Sequence, residues 1–137
     1  MKILLVTILV LFVLVSCKSD TNEEVKDKTP KKENLVDVKD GMFIEWYPGR
    51  KQIKFKGPQD EKMNRHGLWS FYAEDGTEMS FTSYVHGKKE GFTVVKHPNG
   101  YIHYRGEYRN DKPVGLWTTY NEKGIKVNEK DFGYPEE

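Results

Sequence analysis

Three patterns of apolar and polar positions follow one another along the 137 residues. Ile3 to Val15 is an apolar run broken only by Thr7, and Lys18 to Asp40 is dominated by charge, with little apolar bulk before Leu35. Beyond Gly41, short segments such as "LWSFY", "FTVV", "YIHYRGEY" and "LWTTY" are rich in aromatic and β-branched residues and are separated by glycine-bearing turns. No apolar stripe of helical period is sustained there, so the pattern predicts strands throughout.

The strands recur. Gly67, Gly91 and Gly115 are 24 residues apart, and so are Gly76, Gly100 and Gly124, and Tyr84, Tyr108 and Phe132. "GLWSFYAEDG" at 67–76 returns as "GLWTTYNEKG" at 115–124, with "GFTVVKHPNG" between them and a degenerate unit starting at Gly41. Each unit reads as strand, tight turn, strand. Asp75-Gly76 and Asn99-Gly100 suit type I′ turns, in which both central residues have positive φ, and Lys123-Gly124 is a weaker form. A two-residue loop at Asp75-Gly76 pairs Trp69 with Thr82 and Gly67 with Tyr84. The same count sets Gly91 opposite Tyr108 and Gly115 opposite Phe132. Each leading glycine is then expected to make room for an aromatic ring from the partner strand. The fold class is all-β: an elongated, twisted antiparallel sheet of successive hairpins filling residues 41–137.

Alternation along such strands sorts the rings onto two faces. One face is expected to carry Trp69, Phe71, Tyr84, Tyr104, Tyr108 and Trp117, with Val95, Ile102 and Phe132. The other takes Leu68, Tyr72, Phe81, Phe92, Val94, Leu116, Tyr120 and Val127. A single layer has no second layer to cover both, so one face must curl, meet a partner or stay exposed. The tryptophan face is the candidate binding surface for protein or polysaccharide; the alternative is that its rings are the core of a thin sheet.

These units resemble the variant MORN repeat, "G-x-W-x-x-Y-x-x-x-G" followed some eight residues later by an aromatic, as found in bacterial proteins labelled YwqK-family antitoxins. Gly67, Trp69, Tyr72, Gly76 and Tyr84 match fully, as do Gly115, Trp117, Tyr120, Gly124 and Phe132. The third unit departs, with Thr93 and Lys96 at the tryptophan and tyrosine positions, and the first keeps fragments. The resemblance implies a sheet of stacked hairpins with a scaffolding or binding role, and its label suggests an antitoxin or immunity-type protein as the alternative.

The N-terminus adds a location. Lys2, the apolar run and Ser16-Cys17 follow a signal-peptide plan, and the run is shorter than the roughly 20 residues a membrane-spanning helix needs. Leu14-Val15-Ser16-Cys17 resembles the lipobox of bacterial lipoproteins, in which the cysteine is lipidated and becomes the mature N-terminus. The expectation is a signal peptide at 1–16, membrane attachment through lipidated Cys17, and a charged flexible tether at 17–40, with Leu35, Val36 and Val38 as an alternative edge strand. The protein is thus expected in the bacterial cell envelope, at the outer membrane or cell surface of a Gram-negative cell. Loss of Lys2 from the 22 basic residues balances the 21 acidic ones, and a neutral exported chain argues against nucleic acid as partner.

Catalytic chemistry finds little support. The inter-unit loops gather Arg65, Lys88, Lys89, Arg109 and Lys112 on one edge, a basic strip for anionic headgroups or a charged edge that blocks strand addition. His66, His86, His97 and His103 occupy no common repeat position and form no helical pair, so no metal or cofactor is expected. No nucleophile elbow or glycine-rich phosphate loop occurs. The reading is a non-catalytic, lipid-anchored binding or scaffold module, with an envelope hydrolase as the remaining alternative.

Overall fold

The computed structural model describes residues 32–136. Nine antiparallel strands form one open sheet in chain order: β1 (Val36–Lys39), β2 (Met42–Trp46), β3 (Ile53–Pro58), β4 (Gly67–Tyr72), β5 (Glu78–Val85), β6 (Lys88–Lys96), β7 (Ile102–Arg109), β8 (Lys112–Tyr120) and β9 (Lys126–Asp131). The described residues contain no helix. Folded structure begins ahead of Gly41: Val36–Lys39 pairs with Met42–Glu45, so the tether reading is corrected for these four residues in favour of the edge strand. Its valines alternate with Asp37 and Lys39, which gives the short strand one apolar face. Cys17 and the remainder of the tether up to residue 31 lie outside the described residues.

The counted register is present, but the turns differ from expectation. Gly67 pairs with Tyr84, Trp69 with Thr82 and Gly91 with Tyr108. The Phe132 amide donates to the Gly115 carbonyl at 2.9 Å. Yet Asp75-Gly76 and Asn99-Gly100 do not form two-residue turns. Gly76 N–H donates to Ala73 O at 3.0 Å and Gly100 N–H to His97 O at 2.9 Å, and Ala73 pairs with Thr77 across a three-residue loop. Of each dipeptide the glycine alone has positive φ, 90° at Gly76 and 86° at Gly100. The extra loop residue is cancelled by a bulge: Phe71 pairs with Ser80 but Tyr72 with Glu78. The same compensation follows Val95 and Thr119, which explains why a wrong turn length still returned the right partners. The two-residue turns with both φ positive lie on the opposite edge instead, at Asp40-Gly41, His86-Gly87 and Asn110-Asp111.

The glycine–ring pairing also moves. A Cβ on Gly91 would meet Ser83, not a ring, and the glycine is required there by its φ of +93°. At Gly115 the ring that a Cβ would meet is that of Tyr134 and not Phe132, and the tryptophans lie on other glycines: a Cβ on Gly57 would fall inside the Trp69 indole, and one on Gly106 inside the Trp117 indole. Between them, Thr82 and Thr93 occupy the equivalent pair of positions, joined Oγ1 to Oγ1 at 2.7 Å. One row across the sheet therefore reads glycine–tryptophan, threonine–threonine, glycine–tryptophan. Two large rings settle where the facing strand offers no side chain, and the unit that lacks the ring fills the gap with a second threonine.

Charge protects both edges. β9 is exposed throughout and carries Lys126, Glu129, Lys130 and Asp131, a composition that discourages strand addition. At the other edge the Trp46 indole N–H donates to Asp37 Oδ2 at 2.8 Å, and Arg50 pairs with the same carboxylate. The indole bond, then the Arg50 bond and charge, hold the Asp37 carboxyl below its usual range. A depressed carboxyl stabilises the fold above the unfolded pKa, about 3.9, and that contribution disappears as pH falls through the folded value. Acid titration followed through the amide signals of Val36–Lys39 should show β1 loosening below about pH 4, ahead of β5–β8. In Asp37→Asn the same loosening is expected at neutral pH.

Candidate functional site

The face that carries Trp69 and Trp117 is packed. Trp69 is 6% exposed and its ring centroid lies 5.6 Å from that of Phe43, 6.1 Å from Phe55 and 6.5 Å from Tyr84. Its indole N–H donates to Pro58 O at 2.8 Å. Trp117 sits in a second cluster, stacked at 5.9 Å on Tyr104 and edge-on to Tyr108 at 4.9 Å and Phe132 at 6.1 Å, with its N–H shared between Val114 O and Glu107 O. Tyr84, Tyr104, Tyr108 and Trp117 are half-buried, and Phe71 is exposed. Burial raises the Tyr104 phenol pKa, since the phenolate would be poorly solvated there. Of the six candidate binding-face residues, five therefore lie in ring-to-ring packing, the arrangement expected of a thin sheet's core.

The basic edge is tied to the same rings. The Arg65 guanidinium lies 4.5 Å from the Trp69 ring centroid and 5.3 Å from that of Tyr84, and Lys89 Nζ lies 4.6 Å from Tyr108. Arg109 approaches Tyr134 at 5.6 Å. Lys88 reaches Asn110 Oδ1 at 3.5 Å, and Lys112 is exposed at the start of β8. A cation over a ring is worth about 0.5–1 kcal/mol at such exposed sites. Arg65 and Lys89 thus each cover rings of one of the two aromatic clusters.

The opposite face is the open one. Leu68, Phe92 and Leu116 are 52%, 68% and 54% exposed. They follow the leading glycines of successive units, so they form a row across β4, β6 and β8, with neighbours roughly 10 Å apart by strand spacing. Between Phe92 and Leu116 lies an open cleft of about 490 Å³, bounded also by Phe81, Glu107 and Tyr134. The Tyr134 hydroxyl donates to Glu107 Oε2 at 2.9 Å, and this carboxylate raises the phenol's pKa. The sequence placed these apolar residues on this face correctly; which face the rings would close was not legible, because both carry similar apolar bulk.

A titratable cluster that sequence reasoning missed lies at the turn edge. Asp60, His66 and His86 present donor atoms within 4.8 Å of one another. His86 Nδ1 lies 2.8 Å from Asp60 Oδ2 and the two imidazoles are 5.0 Å apart. The His86 bond, with further bonds from Asn64 and Lys62, holds the Asp60 carboxyl well below the usual carboxylate range. His66 and His86 are 20 residues apart, so the 24-residue repeat does not equate them. They meet because the β3–β4 connection is longer than its counterparts and folds back against the β5–β6 turn.

No protein-family model, curated protein or solved structure matches this chain.

Proposed function

We propose that this chain is a non-catalytic, lipid-anchored binding module of the bacterial envelope, tethered through Cys17, that holds a protein partner against the open face of a MORN-like sheet. The observation that carries the reading is the row Leu68, Phe92 and Leu116, each more than half exposed at the same repeat position. Large apolar side chains left in water in register are the usual mark of a contact surface. A protein fits them better than a polysaccharide, because two of the three are aliphatic and offer no ring on which a sugar can stack. The partner would present apolar side chains at a matching interval of roughly 10 Å.

The test is site-specific photocrosslinking in cells making the full chain. A photoreactive amino acid at Phe92 or at Leu116 is expected to yield the same protein adduct, and one at Tyr104, on the packed face, to yield none. No adduct from either open-face position, or an adduct from Tyr104 alone, would overturn the reading. Fractionation of Cys17→Ser supplies the anchoring arm: the wild type is expected with membranes and the variant in the soluble fraction.

A further inference from the structure

The β3–β4 connection, 59–66, is held in a defined shape by its own hydrogen bonds. Asp60 N–H donates to Asn64 O at 2.9 Å, Met63 N–H to Asp60 O at 2.9 Å and His66 N–H to Pro58 O at 3.0 Å. Gly87 N–H donates to Arg65 O at 2.8 Å, which docks the neighbouring turn, and with it His86, against this loop. Asp60 is fixed most tightly. Its Oδ1 accepts from the amides of Lys62 at 3.0 Å and Asn64 at 2.9 Å, and its Oδ2 from the Asn64 side chain at 3.2 Å. These bonds leave Oδ2 facing His86 Nδ1 at 2.8 Å, on the wall of an open cleft of about 680 Å³ that His66 also lines.

We propose that Asp60, His66 and His86 form a binding site for one zinc-class divalent ion, held by two imidazole nitrogens and one carboxylate oxygen, with solvent completing the shell. Two histidines and a carboxylate with a free position are a donor set that suits zinc and its neighbours, whereas calcium and magnesium require shells made largely of oxygen. Ligands around a tetrahedral ion with bonds of about 2.0–2.1 Å stand roughly 3.3 Å apart. The Asp60–His86 contact, now 2.8 Å, has to open to that value and the spacing to His66, within 4.8 Å, has to narrow to it; the His86 side chain, 71% exposed, can swing to do so, while Asp60, 12% exposed, stays in place. His66 makes no hydrogen bond to Asp60; its Nδ1 accepts from the His86 amide at 3.5 Å, which holds the ring beside the Asp60–His86 pair and brings a third donor atom within 4.8 Å of the other two. The amides and the Asn64 side chain on Asp60 are the outer bonds that orient a ligating carboxylate. A bound ion would pin the β3–β4 loop to the β5–β6 turn, and this proposal stands independently of any partner on the open face.

The experiment is titration of the chelator-treated protein with Zn²⁺ alone, in a Cys17→Ser background that removes the thiol as a competing ligand. One equivalent is expected to bind and to raise the melting temperature. His66→Ala, which keeps the Asp60–His86 pair, is expected to weaken Zn²⁺ binding by at least about tenfold and to abolish the thermal shift. His66→Gln provides a second variant should alanine disturb the loop. His97→Ala with His103→Ala removes the other close imidazole pair, whose centroids are 4.4 Å apart, and is expected to change nothing. Equal affinity in the folded His66 variants, or a loss confined to the His97 and His103 variant, would overturn the proposal.

Discussion

Replacing Trp69 by alanine is expected to cost about 3–5 kcal/mol of unfolding free energy, enough to leave a domain of this size marginal. The magnitude follows from what the ring touches. Trp69 is one of two apolar residues that are buried in the strict sense among the described residues, and it joins Phe43 and Phe55 from β2 and β3 to Tyr84 from β5. Alanine would leave Gly57 facing empty space, so β3 and β4 would lose both the ring and anything able to collapse into its volume. The change also leaves Pro58 O without the indole N–H and uncovers the Arg65 stem. Leu68→Ala, one residue earlier, provides the contrast. Its side chain is 52% exposed on the opposite face, and its loss is expected to cost below about 1 kcal/mol. Urea unfolding followed by circular dichroism separates the two cases, and equal losses would contradict the assignment of the tryptophan face as the packed one.

Much of this arrangement could be read in advance, for identifiable reasons. The 24-residue rhythm fixes strand order and pairing because neighbouring hairpins repeat the same alternation, and a slip of one residue would reverse every face. The turns were less legible. Asp75-Gly76 and Asn99-Gly100 have the composition of two-residue loops, but a glycine with positive φ serves equally at the end of a three-residue loop, and only the bulge beyond it distinguishes the two. His86-Gly87 and Asn110-Asp111, which do form the two-residue turns, looked like parts of longer polar connections. Val36–Lys39, short and closely flanked by charge, was legible only as an alternative edge strand to the tether. The glycine–tryptophan contacts escaped because Gly57 and Gly106 lie in the strand before each tryptophan, whereas the eye pairs a tryptophan with its own hairpin. The Asp60, His66 and His86 cluster has no periodic signal, since it is created by a connection that departs from the repeat.

Thr82 and Thr93 make the central claim accessible to direct measurement. They stand in the row where the flanking units place Gly57 under Trp69 and Gly106 under Trp117, so the third unit carries the alternative solution to the same packing problem. Thr93→Trp alone drives an indole against the Thr82 side chain and breaks their hydrogen bond, an overpacking expected to cost about 1–3 kcal/mol. Thr82→Gly alone removes the same bond and adds chain entropy in a strand, at about 1 kcal/mol. Together they rebuild the glycine–tryptophan pair of the neighbouring units, so the double variant should be more stable than the sum of the two losses allows. The decisive quantity is the coupling free energy from denaturant unfolding of the wild type, both single variants and the double variant. If tryptophan over a cross-strand glycine is the packing unit of this sheet, the coupling is favourable by at least about 1 kcal/mol; losses that add to within about 0.5 kcal/mol would contradict it.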